Sequence, residues 1–189
     1  MRICVYGASS DNIHPAFITA TEEFGRLLAR RGHSLLFGGG AHGLMGAVAR
    51  GCYEAGGGII GVAPRFFDRE GILFPHCTEF LFTDTMRQRK QLLEDRSDAF
   101  VAVPGGIGTF DELFEILTLK QLNRHRKPVA LLNLEGYYAP LLELLENAVE
   151  QGFMSPECRE LYAAFDRPEA LLDWLEAGNG TQEGNYKRI

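Results

Sequence analysis

A chain of 189 residues, 46% hydrophobic and 23% charged, can bury one substantial core but is too short for two ordinary domains and a linker. One globular domain is expected, and a disordered or fibrous chain is excluded. With 25 acidic and 19 basic side chains the net charge is −6, so no long-range positive field gathers nucleic acid and any phosphate must be held locally.

The first apolar run, about residues 2–6, breaks at Gly7, too early for a signal segment, and no run reaches the roughly 18 apolar residues of a membrane span. A cytoplasmic protein that touches no membrane is expected. Further β-branched or apolar runs lie at about 34–37, 58–62, 79–83, 99–103 and 128–132. Helical periods fill the gaps at about 15–31, 43–55, 85–96, 110–125 and 137–151. This alternation predicts an α/β domain with a doubly wound parallel sheet and helices on both faces. Asp166-Arg-Pro-Glu reads as a capping box opening a last helix to about Ala177. The domain is expected to span 1–177, with glycine-rich residues 178–189 as a flexible tail. Cys4, Cys52, Cys77 and Cys158 form no C-x-x-C pair and read as reduced packing thiols. The five histidines show no metal-binding spacing and read as surface or loop residues, so neither a metal nor a cofactor is expected.

Two glycine turns carry the chemistry. After the second strand come Gly38, Gly39 and Gly40, with Gly43 and Gly46 entering the next helix. After the fifth come Gly105, Gly106, Gly108 and Thr109. Glycine lets the backbone approach an anion, and the free amides and dipole of a helix N-terminus favour negative charge, so both turns are candidates to grip one phosphate-bearing ligand. Neither is a P-loop or a G-x-G-x-x-G fingerprint, which disfavours triphosphate hydrolysis and dinucleotide binding. Ser9 and Ser10 read as a phosphate or ribose contact, since no G-x-S-x-G elbow surrounds them.

At about 100° per residue, Glu112 falls on the apolar stripe of Ile116 and Leu119, while Asp111 falls with Glu115 and Thr118 on the polar side. Glu112 is then either an active carboxylate or a cap on nearby loop amides. Burial raises its pKa and the helix N-terminus lowers it, so the sequence leaves the direction open. Arg89 lies between Leu92 and Leu93 on its own wheel, which calls for an internal carboxylate, a ligand or an escape to solvent. Lys90 and Glu94 read as a surface pair.

Together Gly38-Gly-Gly-Ala-His-Gly-Leu-Met-Gly, Met86-Arg-Gln-Arg-Lys and Pro104-Gly-Gly-Ile-Gly-Thr-Phe-Asp-Glu resemble the Lonely Guy (LOG) family of cytokinin riboside 5′-monophosphate phosphoribohydrolases, from about residue 1 to 177. The resemblance implies a Rossmann-like homodimer with sites between subunits. It also implies hydrolysis of the N-glycosidic bond of AMP or an N6-substituted AMP to free base and ribose 5-phosphate. Its essential arginine matches Arg89 and its essential glutamate Glu112. Substrate binding is expected from Ser9, Gly39, Gly40, Met86, Lys90, Gly105, Gly106, Gly108 and Thr109. The family commonly has M-H-E-R-K, where Arg87 and Gln88 stand in this chain. The competing expectation is a non-catalytic carrier of a nucleotide or a molybdopterin-type cofactor. The dimer is further suggested by helices 85–96 and 110–125, which read as carrying more apolar surface than one side of a sheet needs.

Overall fold

A computed structural model describes residues 1–181. Seven parallel strands form one sheet in the order β4-β3-β2-β1-β5-β6-β7: β1 Arg2–Tyr6, β2 Ser34–Phe37, β3 Ile59–Pro64, β4 Glu79–Thr83, β5 Ala99–Ala102, β6 Val129–Leu132 and β7 Ala163–Phe165. The crossover helices are α1 Pro15–Arg30, α2 Gly43–Glu54, α3 Met86–Arg96, α4 Ile107–Gln121 and α5 Ala139–Glu150, with α6 Pro168–Glu176 the last among the described residues. This is the expected Rossmann-like arrangement.

Strands covered on both faces need apolar side chains at every position, and the period of two sends alternate residues to opposite layers. In β1, Ile3 and Val5 join Phe24 and Leu28 of α1, Val48 of α2 and Leu171 of α6, whereas Cys4 and Tyr6 join Leu93 of α3 and Leu113 of α4. The winding direction reverses between β1 and β5, and such a reversal opens a crevice beyond the carboxyl ends of the strands.

The structure departs from the sequence reading at several points. The three-residue β7 adds an edge strand beside β6 that no run announced. Helix α4 starts at Ile107 rather than 110, because Gly106 serves as its N-cap, so Gly108 and Thr109 lie in its first turn. It stops at Gln121, where Asn123 turns to positive φ and its amide donates back to the Lys120 carbonyl. The expected capping box of α6 does not form. Arg167 is the N-cap, and the Asp166 carboxylate accepts from Asn133 Nδ2 at 3.0 Å instead.

Two of the histidines expected at the surface or in loops lie in loops but are buried. His33 meets Glu176 Oε1 at 2.9 Å, and His125 bonds the Ile116 carbonyl at 2.9 Å. Of the expected tail, 182–189 lie outside the described residues, while Gly180 packs against Trp174 and its carbonyl accepts from Lys120 Nζ at 2.9 Å. All four cysteines are free, and among the described residues no helix is long and apolar enough to cross a membrane.

Candidate active site

The crevice at the switch point is a cleft of about 610 Å³, a size ordinary for a small-molecule site. Its walls come from the loops after β1, β2 and β5, the start of α3 and the segment after β3. The β1 and β5 loops are tied together where the Ala8 amide donates to the Pro104 carbonyl at 3.0 Å.

The two glycine turns do different work. At α2 the opening amides are already committed: Gly43 N donates to Asp11 Oδ1 at 2.9 Å, and Leu44 N and Met45 N both donate to the Ala8 carbonyl. A carboxylate of the chain thus sits on the first amide of α2, at the end where an anionic ligand would otherwise dock. At α4 the N-cap Gly106 makes no side-chain bond to the first turn, and the amides of Ile107, Gly108 and Thr109 have no earlier carbonyl within the helix to reach. Such amides, with the helix dipole behind them, favour negative charge. Buried Thr109 rests against Gly105, where an added Cβ would collide with its hydroxyl.

Arg89 of α3 and Glu112, in the second turn of α4, meet across the floor of this cleft. Arg89 Nη1 donates to Glu112 Oε1 in a short ion pair, and Arg89 Nε donates to the Val62 carbonyl at 3.3 Å. Their side chains are 12% and 11% exposed. The Nη2 end of the guanidinium comes up against Gly38, so that a Cβ there would overlap it; the bare backbone of the first turn makes room for the arginine. Burial pushes the Glu112 carboxyl up, Arg89 pulls it back only in part, and the net position is above the ordinary glutamate range. Beneath the pair, burial also raises the Cys4 thiol and Tyr6 hydroxyl far above their ordinary ranges, so neither is a nucleophile near neutral pH.

Of the residues singled out from sequence, Ser9, Gly40, Met86, Arg89, Gly106, Gly108, Thr109 and Glu112 line the cleft. Gly39 backs it, its carbonyl accepting from Phe74 N at 2.8 Å, and buried Gly105 accepts from the Tyr137 hydroxyl at 2.5 Å. Lys90 does not line it. Instead of pairing with Glu94 it reaches Glu115 at 2.7 Å and Asp111 at 3.2 Å across a neighbouring groove, and these two acids share the exposed side of α4 as the wheel indicated. Gln88 closes a capping box with Thr85, accepting from Thr85 N at 3.2 Å, so glutamine suffices at this position to start α3. Sequence reasoning missed His42, Phe67, Ile72, Leu73 and Ile107 on the cleft wall. The segment 65–78 has no period to read, and the apolar cluster Ile72-Leu-Phe after Gly71 was its one signal. Among the described residues no group of three side chains is placed to hold a metal ion.

The profile of a protein family described as possible lysine decarboxylase matches residues 45–175. The chain is 40% identical over 175 residues to the probable cytokinin riboside 5′-monophosphate phosphoribohydrolase LOGL3 of Oryza sativa subsp. japonica, covering 93% of this chain and 83% of that one. It is 39% identical to the cytokinin riboside 5′-monophosphate phosphoribohydrolase LOG3 of Arabidopsis thaliana, covering 93% and 81%. Among solved structures, the molybdenum cofactor carrier protein of Chlamydomonas reinhardtii superposes with a TM-score of 0.70, covering 93% of this chain and 95% of that one. At 24% identity that likeness is one of fold.

Proposed function

We infer, because the chain belongs to the Lonely Guy (LOG) family, that it hydrolyses the N-glycosidic bond of a nucleoside 5′-monophosphate, AMP or an N6-substituted AMP, releasing free base and ribose 5-phosphate. The observation that carries this reading is the buried Arg89–Glu112 pair, set in the same cleft as the uncommitted amides of the α4 N-terminus.

In this reading the 5′-phosphate sits on the amides of Ile107 to Thr109, with Ser9 opposite, and its binding energy fixes the ribose over the pair. As the C1′–N bond breaks, its electron pair leaves with the base and positive charge develops on the ribose. The Glu112 carboxylate faces that charge. Arg89 holds it through Oε1, which leaves Oε2 to orient a water and take its proton as the C1′–O bond forms. The raised pKa of Glu112 makes it a better base than an exposed glutamate. Apolar Phe67, Ile72, Leu73 and Met86 border the cleft where a base and its substituent would rest.

The reading includes a homodimer. On α4 Ile107 is 83% exposed and Phe114 is also exposed, with exposed Leu122 at its C-cap, whereas α3, expected to share this surface, exposes Met86 alone of its apolar side chains and turns Leu92 and Leu93 to the core. The groove beside α4 holds Phe110, Phe114 and Leu119, and shares Ile107 and Asp111 with the cleft, so a second copy seated there would border the site. Three buried and one half-buried free thiol support a reducing compartment such as the cytosol.

The test is release of free base from AMP, N6-isopentenyl-AMP and adenosine. The two monophosphates should be cleaved and adenosine barely touched. Equal turnover of adenosine and AMP would remove the phosphate assignment, and no base from either monophosphate would remove the hydrolase reading.

A further inference from the structure

One cleft-wall side chain has partners that phosphate and ribose recognition leave unexplained. His42, at the N-cap of α2, places Nδ1 2.7 Å from Asp11 Oδ2 and Nε2 2.8 Å from the Gly71 carbonyl. Both partners are acceptors. A carbonyl oxygen can only accept, and the Asp11 carboxyl is held below its ordinary range by the Gly43 amide and by His42 itself, so it is ionised. A neutral imidazole has one N–H and can satisfy one of them; only the imidazolium, with two, satisfies both.

Gly71 belongs to the segment between β3 and β4, which supplies Phe67, Ile72 and Leu73 to the cleft wall. That segment zips antiparallel onto the first glycine turn. Phe74 N donates to the Gly39 carbonyl at 2.8 Å, Gly40 bridges Leu73, and Ala41 N donates to the Ile72 carbonyl at 2.9 Å. The His42 ring supplies the next rung. At one end the zipper is pinned by buried Phe74, while at the other Ile72 and Gly71 are exposed and the ring reaches across.

We propose that His42 is a positioning residue, a proton-dependent clasp that closes the segment 65–74 over the apolar end of the cleft when its ring is doubly protonated. The charged groups around it are Asp11 from the β1–α1 loop and Arg50 of α2, which faces Asp11 and is itself paired with Glu22 of α1 at 2.8 Å. Arg69 and Glu70 precede Gly71 in the chain. None of them supplies the second N–H the ring needs, so the switch resides in the imidazole. Its bearing on substrate rests on the hydrolase reading; the closure of the segment does not.

The experiment therefore has two arms. In the first, the Ala41 amide, which donates to Ile72, is followed by hydrogen exchange in the ligand-free protein at about pH 5.5 and about pH 8.5, normalised to the intrinsic rates. Protection should fall by ~3–10-fold at the higher pH, as expected for an exposed ion pair joined to one charge-assisted bond. His42→Ala should be weakly protected at both values. His42→Arg, charged at both and able to donate to both acceptors, should be protected at both. Protection that ignores pH in the wild type, or that survives in His42→Ala, overturns the clasp.

In the second arm, KM for AMP in the wild type should rise with pH by a similar factor while kcat moves less, and His42→Arg should flatten the KM profile. A flat wild-type KM overturns the clasp's role in substrate binding. Absence of any AMP cleavage beside a pH-dependent Ala41 amide overturns the hydrolase reading and leaves the clasp supported.

Discussion

Gly38→Ala separates the role of the first glycine turn from the stability of the fold. The new Cβ would overlap Arg89 Nη2 and stand 3.2 Å from Cζ and 3.6 Å from Nε. Gly38 is absent from the glycines with positive φ, so its backbone accepts alanine, and the atoms in the way are the far end of a flexible side chain. The fold should therefore change by no more than about 1 kcal/mol. The guanidinium has to shift by roughly an ångström, which takes it off Glu112 Oε1 or off the Val62 carbonyl, and misplacement of that size at a reacting centre costs about 10²-fold. Drawing the cation away from Glu112 weakens what holds its pKa down, so the acid limb of kcat/KM, already above the ordinary glutamate range, should move to still higher pH. The assay is base release from AMP across pH, with a thermal melt on the same sample. Wild-type kcat/KM with an unmoved acid limb would show that the Arg89–Glu112 geometry does not matter to the reaction.

Lys120 gives a stability test remote from the cleft. It is buried, its partners among the described residues being the Leu161 and Gly180 carbonyls at 3.0 and 2.9 Å, and burial lowers its ammonium from 10.5 to about 8. Below about pH 8 both folded and unfolded chains carry the proton; between there and 10.5 the unfolded chain binds more. Stability should thus rise by about 2–3 kcal/mol from pH 7 to pH 10 relative to Lys120→Met, and parallel denaturation curves for the two proteins would refute this. Light scattering at micromolar concentration should report about twice the 21.0 kDa chain, and Phe114→Glu on the exposed face of α4 should shift it toward the monomer. A fully active monomer would remove the shared site.

How much was legible follows from where each signal sits. Short apolar runs with polar residues at their ends made β1, β2 and β4 readable to the residue, and the wheels of α3 and α4 turned Arg89 and Glu112 inward, where they are found in contact. Features that depend on segments distant in sequence were not readable. Asp11 satisfies the α2 N-terminus, Asn133 takes Asp166 from its expected cap, and Lys90 chooses α4 over its own helix. The burial of His33 and Lys120 depends on α6 and the residues after it folding back onto the body. The apolar wall from Phe67 to Leu73 lies on irregular chain with no period, and only its pairing with the glycine turn brings it to the cleft.

The central claim is that Glu112, held by Arg89, performs the chemistry. Glu112→Gln keeps the size of the side chain and a hydrogen-bonding partner for Arg89 but removes the charge. Single-turnover base release from AMP, with AMP affinity and the melting temperature measured alongside, should show turnover down by ~10²–10⁴ and binding retained. Asp111→Asn, the neighbouring acid whose Lys90 partner keeps Glu115 at 2.7 Å, should lose far less. Wild-type turnover in Glu112→Gln, or an equal loss in Asp111→Asn with the fold intact, would contradict the account.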